Sequence, residues 1–179
     1  MPTVLLAVLL TMGGRYLWQK RRALRPVWAH EAGVCLLAAY LALLFSVTWE
    51  LGQLWVSLCY GWPLPAPRWF QGGVGWPLVT EISSLWDGWM LAGNIALFCP
   101  LGFLLPLLWW RERAAQVVLT GAAVSLLIES VQFVIGRTFD AADLVNNSIG
   151  TGLGWAAWYA VRRRYPEALA RFRPEYSDG

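Results

Sequence analysis

Five apolar runs, divided by short polar punctuation and one long irregular stretch, make up most of this chain. Met1 to Trp18 is apolar until Arg15, and Lys20, Arg21, Arg22 and Arg25 follow it. A secretory signal carries its positive charge before the apolar core and a small-residue cleavage site after it. The order here is reversed, so the run reads as a short first span with its N-terminus outside, or as a helix lying in the interface. Trp28 to Trp55 contains the second span, centred on Gly33 to Trp49, with His30 and Glu31 at its inner end and Glu50 and Gln53 at its outer end. About 20 residues are enough to cross the hydrocarbon. Trp89 to Trp110, Ala114 to Ile135 and Asp143 to Val161 supply the third, fourth and fifth spans, the last closed by Arg162, Arg163 and Arg164. The polar tail from Tyr165, with Pro166 and Pro174, is expected to fray.

Between the second and third spans, Gly61 to Asp87 is broken by Pro63, Pro65, Pro67, Gly72, Gly73 and Pro77, so no long regular helix is expected there. It also carries Trp62, Trp69, Phe70, Trp76 and Trp86. So many aromatics predict a loop that lies on the membrane or caps the outer face of the bundle rather than a free linker. The chain thus divides into residues 1–88, two spans plus this loop, a three-span core at 89–164, and a tail at 165–179.

Composition and charge sharpen this picture. Hydrophobic residues make up 58% of the chain and charged residues 14%, a balance foreign to soluble domains. Thirteen Trp suit a protein with two membrane–water interfaces, where the indole ring is apolar and its N–H finds a polar partner. With five spans and the N-terminus outside, the inner segments hold Lys20, Arg21, Arg22, Arg25, Arg111, Arg113 and Arg162 to Arg164, against only Arg68 and Arg137 outside. Lys and Arg in short loops favour the inner side, so the charges support the assignment. The expected fold is therefore an all-α membrane bundle of about five transmembrane helices, N-terminus outside and C-terminus inside. Cys35, Cys59 and Cys99 are isolated and predict small apolar filler, neither a zinc site nor a disulfide framework. His30, the only histidine, is expected to be a solvated residue at the interface.

The candidate chemistry lies in Glu129 to Gly154, where seven charged or amide side chains, Glu129, Gln132, Arg137, Asp140, Asp143, Asn146 and Asn147, interrupt largely apolar sequence. A carboxylate at Glu129, inside the fourth apolar run, must face protein or water rather than lipid. Gly121, Ser125, Glu129, Gln132 and Gly136 recur at spacings of three and four, which places them on one helix face. Asp143, Asn147, Gly150 and Gly154 form a second stripe of small and polar residues, of the kind that lets membrane helices approach and hydrogen-bond. Asn94 and Gly102 on the third span can close the cluster. Arg137 has a fork geometry that matches carboxylates and other anions. It can pair with Asp140, Asp143 or Glu129, or meet an anionic head group at the outer leaflet. Asp140, Asp143 and Asn147 could also hold one divalent cation through oxygen. A Ser-His-acid triad fails, because His30 falls at the opposite side of the membrane. Glu129 and Asp140 are the only candidates for a general acid or base. Nothing in the pattern implies a cofactor or nucleic acid.

The stretches N-I-A-L-F-C-P-L-G-F-L-L (Asn94 to Leu105), I-E-S-V-Q (Ile128 to Gln132), R-T-F-D-A-A-D-L (Arg137 to Leu144) and N-S-I-G-T-G-L-G (Asn147 to Gly154) resemble the VanZ-like membrane proteins in order, spacing and polar residues. The resemblance covers Trp89 to Val161. It marks Asn94, Phe98, Pro100, Gly102, Glu129, Gln132, Arg137, Asp140, Asp143, Asn147, Gly150 and Gly154 as motif positions. The family's usual N-L-I-P-F-like stretch is represented only by Gly75-Trp76-Pro77-Leu78, without the Asn. The resemblance implies a role in the bacterial cell envelope, in a family named for resistance to the glycopeptide teicoplanin.

Together these readings predict a multi-pass cell-membrane protein, not an enzyme, that binds an anionic lipid, a glycolipid or a lipoglycopeptide-type ligand. Its partners would be membrane lipids, and cell-wall lipid intermediates or glycopeptides. Asn94, Glu129, Gln132, Arg137, Asp140, Asp143 and Asn147 would form the binding site. The alternatives are an enzyme acting on a lipid-linked cell-wall intermediate through Glu129 or Asp140, and a scaffold in which the polar cluster only holds helices together.

Overall fold

Apolar segments without access to water satisfy their backbone groups internally, and the chain does so with helices. A computed structural model describes residues 2–22, 24, 26–49, 51–63, 68–109 and 113–173, with only the backbone at 51–55. The expectations placed on Arg25, Glu50, Pro65, Pro67, Trp110, Arg111, Pro174 and the Gln53 side chain lie outside the described residues. Among those residues the helices are α1 (Pro2–Arg22), α2 (Trp28–Thr48), α3 (Leu51–Tyr60), α4 (Leu85–Trp109), α5 (Ala114–Val134), α6 (Ala141–Arg164) and α7 (Pro166–Ala170). Two short strands, β1 (Val74–Gly75) and β2 (Phe139–Asp140), pair in parallel.

The helices α2, α4 and α5 are long and apolar enough to cross a membrane. The first and fifth apolar runs also become long helices, but more polar ones. Gly13, Gly14 and Arg15 interrupt α1, and α6 carries Asp143, Asn146 and Asn147 in its first turns. At 24 residues α6 is about 36 Å long, so its length matches the hydrocarbon even though its composition does not. The second run ends its helix at Thr48, and the chain restarts as α3. As expected, the described part of 61–84 contains no helix, but α4 already begins at Leu85, within the stretch expected to be irregular up to Asp87.

The core is built mainly on α4. Phe98, Leu101, Leu104, Leu105 and Leu108 are buried there against Leu37 and Leu44 of α2, Val117 and Ile128 of α5, and Trp158 of α6. Helices α4 and α6 meet along glycines. A Cβ on Gly102 would collide with the Thr151 carbonyl, one on Gly150 with the Ile95 carbonyl, and one on Gly154 with the Cys99 carbonyl. Gly121 on α5 admits the Thr151 side chain in the same way. The outer surface is apolar in turn: Leu5, Leu6, Leu9 and Leu10 on α1 are largely exposed, a face suited to lipid.

Helix α1 packs on α2 as an antiparallel pair, tied at one end by Thr3 Oγ1 and Ser46 Oγ (2.9 Å). At the other end Arg15 donates to both Glu31 oxygens, at 2.5 and 2.9 Å, and Gln19 adds a third bond at 2.7 Å. Three expectations are corrected at this end and in α3. His30 is not solvated: it is 3% exposed, with Nδ1 2.9 Å from the Phe172 carbonyl. The tail does not fray at Tyr165, because α7 forms and Leu169 and Phe172 pack against the core. Gly33 leaves the space that the Leu108 side chain fills, and the Phe172 ring lies in contact beside it. Cys59, near the end of α3, is exposed rather than buried filler; Cys35 and Cys99 are half-buried.

Candidate polar site at one end of the bundle

The site forms where α5 turns into α6. Ile135 ends α5, and Gly136 follows at φ +89°, a left-handed conformation that side chains other than Gly rarely adopt. The Arg137 N–H then reaches back to the Gln132 carbonyl at 2.8 Å and the Gly136 N–H to Phe133 at 3.1 Å, the Schellman pattern that closes a helix. The chain runs on as β2, and Asp140 caps α6 by accepting from the Ala142 N–H at 2.9 Å. An oxygen at the N-cap satisfies one of the free N–H groups of the first turn.

The loop before α4 docks onto this turn. Val74 pairs with Phe139 and Gly75 with Asp140, and the Phe139 N–H donates to the Gly73 carbonyl at 3.0 Å. The Phe70 N–H donates to Val134 at 3.1 Å, and its ring meets Phe133 edge-on at 6.2 Å. Gly72 and Gly136 permit the approach, since a Cβ on either would strike the Arg137 or Arg68 carbonyl respectively. Asn146 adds a bond to Thr80 Oγ1 at 2.9 Å. The loop therefore caps this end of the bundle, with Trp69, Trp76, Trp86 and Trp89 exposed around it.

Beneath the turn, Glu129 is 2% exposed, and its carboxylate accepts from the Asp140 backbone N–H at 2.9 Å. The charges of Asp143, Asp140 and Arg137 all reach Glu129, so these groups share one electrostatic environment. Asn94 on α4 donates to Asp143 Oδ1 at 2.5 Å, and Asn147 donates to Ser125 Oγ at 2.9 Å. Thr151 Oγ1 extends this line to the Asn147 carbonyl at 2.9 Å. The two polar stripes expected on the fourth and fifth spans do face each other, and Asn94 joins them.

Gln132 and Arg137 turn elsewhere. Both donate to the Thr48 carbonyl at the end of α2, Gln132 Nε2 at 3.0 Å and Arg137 Nη1 at 3.2 Å. Arg137 is exposed at the rim rather than buried among the carboxylates. Thr48 was not among the expected site residues, because a main-chain carbonyl has no signature in sequence. The chemistry available is hydrogen bonding around one buried and two partly buried acids, with an exposed guanidinium at their edge. Among the described residues no group of three or more His, Cys, Asp or Glu is placed to hold a metal ion. Asp140, Asp143 and Asn147 are each already engaged in the bonds just given. His30 lies at the other end of α2, about 27 Å away along the helix axis, far from any nucleophile of the cluster.

Residues 62–162 match the family model described as VanZ/LLP1, which covers more than half of the chain and the whole of this site except Thr48. No curated protein and no solved structure matches the chain.

Proposed function

Since the chain belongs to the VanZ/LLP1 family of membrane proteins, we propose that it is an envelope protein whose polar end binds an anionic lipid, a glycolipid or a lipoglycopeptide-type ligand, with Arg137 on the anion. The observation that carries this reading is the contrast between Arg137 and the cluster below it. Glu129, Asp143, Asn94 and Asn147 are largely withdrawn from solvent and bonded within the protein. Arg137 is exposed at their edge, with its orientation set by the Thr48 carbonyl. A guanidinium is always charged, and its planar fork of five donors matches a phosphate or carboxylate. Glu129 and Asp140 hold the turn that carries Arg137. In this reading five helices span the membrane with the N-terminus outside. The site then opens at the outer leaflet, where envelope lipids and glycopeptides are met.

Native mass spectrometry of the wild type and of Arg137→Ala, each with its co-purified lipids, tests the reading. The wild type is expected to retain an anionic lipid that the folded variant lacks. Identical lipids on both would leave the cluster with a structural role alone.

A further inference from the structure

We propose that the Trp49 indole N–H is a second ligand donor of this site, one that hydrogen-bonds an oxygen of the phosphate held by Arg137. The inference rests on the binding function proposed above. Trp49 follows Thr48 directly, and the Thr48 carbonyl is the acceptor on which Gln132 and Arg137 converge. Its Nε1 is buried and has no hydrogen-bond partner, alone in this among the side chains of the described residues. A buried indole N–H ordinarily finds an acceptor. The surroundings explain why the ring stays put. Trp49 is the C-cap of α2, its backbone N–H bonded to the Phe45 carbonyl, and its ring packs on Phe45 with centroids 4.6 Å apart. A donor fixed by its own helix and left unpaired, one residue beyond the carbonyl that Arg137 holds, is suited to an oxyanion: the guanidinium supplies charge, and the indole supplies direction.

The ligand class follows from that pairing. Two fixed donors of different kinds select an oxygen-rich anion such as a phosphodiester, and the apolar surroundings select one carried by a lipid. The α2 terminus lies outside residues 62–162, so this donor is contributed by a part of the chain that the family match does not cover.

The test uses delipidated full-length protein in nonionic detergent, titrated with phosphatidylglycerol and followed by native mass spectrometry. Trp49→Phe keeps an aromatic ring without the N–H and is expected to weaken binding about tenfold, the loss of one hydrogen bond to a charged acceptor. Trp49→His places a ring N–H at the equivalent ring position and, at about pH 8 where imidazole is neutral, is expected to recover most of that loss. Binding by Trp49→Phe equal to wild type overturns the inference. So does equal weakening in both variants, which would trace the effect to ring size. Competition by soluble glycerol phosphate at the affinity of the lipid would reassign the ligand to free phosphate and overturn the lipid assignment. If wild type binds no phosphatidylglycerol, or Arg137→Ala binds it as wild type does, the binding function itself fails.

Discussion

Glu129 and Arg137 illustrate how differently two charged residues of one cluster can act. The Glu129 carboxylate is enclosed and holds the Asp140 N–H, so it fixes the start of α6 from within. Glu129→Ala strands that N–H and is expected to cost about 1–3 kcal/mol, whereas Glu129→Gln keeps an acceptor and costs less. Thermal unfolding in detergent distinguishes the two: equal stability in all three proteins would remove Glu129 from any structural role. Arg137 is exposed, and its replacement by Ala is expected to change stability by less than about 1 kcal/mol while removing the anion. Collapse of Arg137→Ala would instead favour the scaffold.

At the scale of elements, the seam between α4 and α6 and the turn after α5 hold the site. Gly102, Gly150 and Gly154 set the two helix backbones against each other, which brings Asn94 to Asp143. Gly154→Leu must push its side chain into the Cys99 carbonyl, a backbone neighbour that cannot swing aside. It is expected to cost about 3 kcal/mol or more and to lower the melting temperature sharply, while Gly152→Leu, facing only Val118 at 3.7 Å, is tolerated. The turn makes a separate prediction. Gly136→Ala pays for a left-handed residue, about 1–2 kcal/mol, and meets the Arg68 carbonyl as well. Loosened loop docking would appear as faster proteolysis within residues 61–84. Unchanged cleavage would mean that the β1–β2 pairing holds the loop without the Schellman turn.

For the whole molecule, the two ends differ in chemistry. One end gathers acids, amides and exposed Trp; the other gathers Lys20, Arg21, Arg22 and Arg162 to Arg164, with Arg162 and Arg163 lying over Trp158 and Tyr159 at 5.2 and 5.0 Å. The orientation proposed from this asymmetry is measurable. In a background lacking the native cysteines, Glu81→Cys is expected to react with a membrane-impermeant maleimide in intact cells, and Glu167→Cys only after lysis. The reverse result would invert the bundle and place the site on the cytoplasmic side. At the same basic end, the docked tail ties α7 to α2 through His30 and Phe172.

Much of this was present in the sequence, because apolar length and helical spacing are local properties. Runs of apolar residues determined where α2, α4 and α5 lie, and spacings of three and four determined which faces of α5 and α6 are polar. Gly150 and Gly154 likewise announced a close helix contact, though not that Ile95 and Cys99 would be the backbone they meet. What tertiary structure alone decided are the contacts between distant segments made through main-chain groups. The pairing of Val74 with Phe139 joins residues 65 positions apart, and nothing in either dipeptide marks it as a strand. The Thr48 carbonyl became the acceptor for Gln132 and Arg137 because α2 happens to end beside them, and any residue could have supplied that oxygen. His30 is buried for a similar reason: the tail returns over Gly33, and its proximity depends on a chain separation of 142 residues that periodicity cannot see.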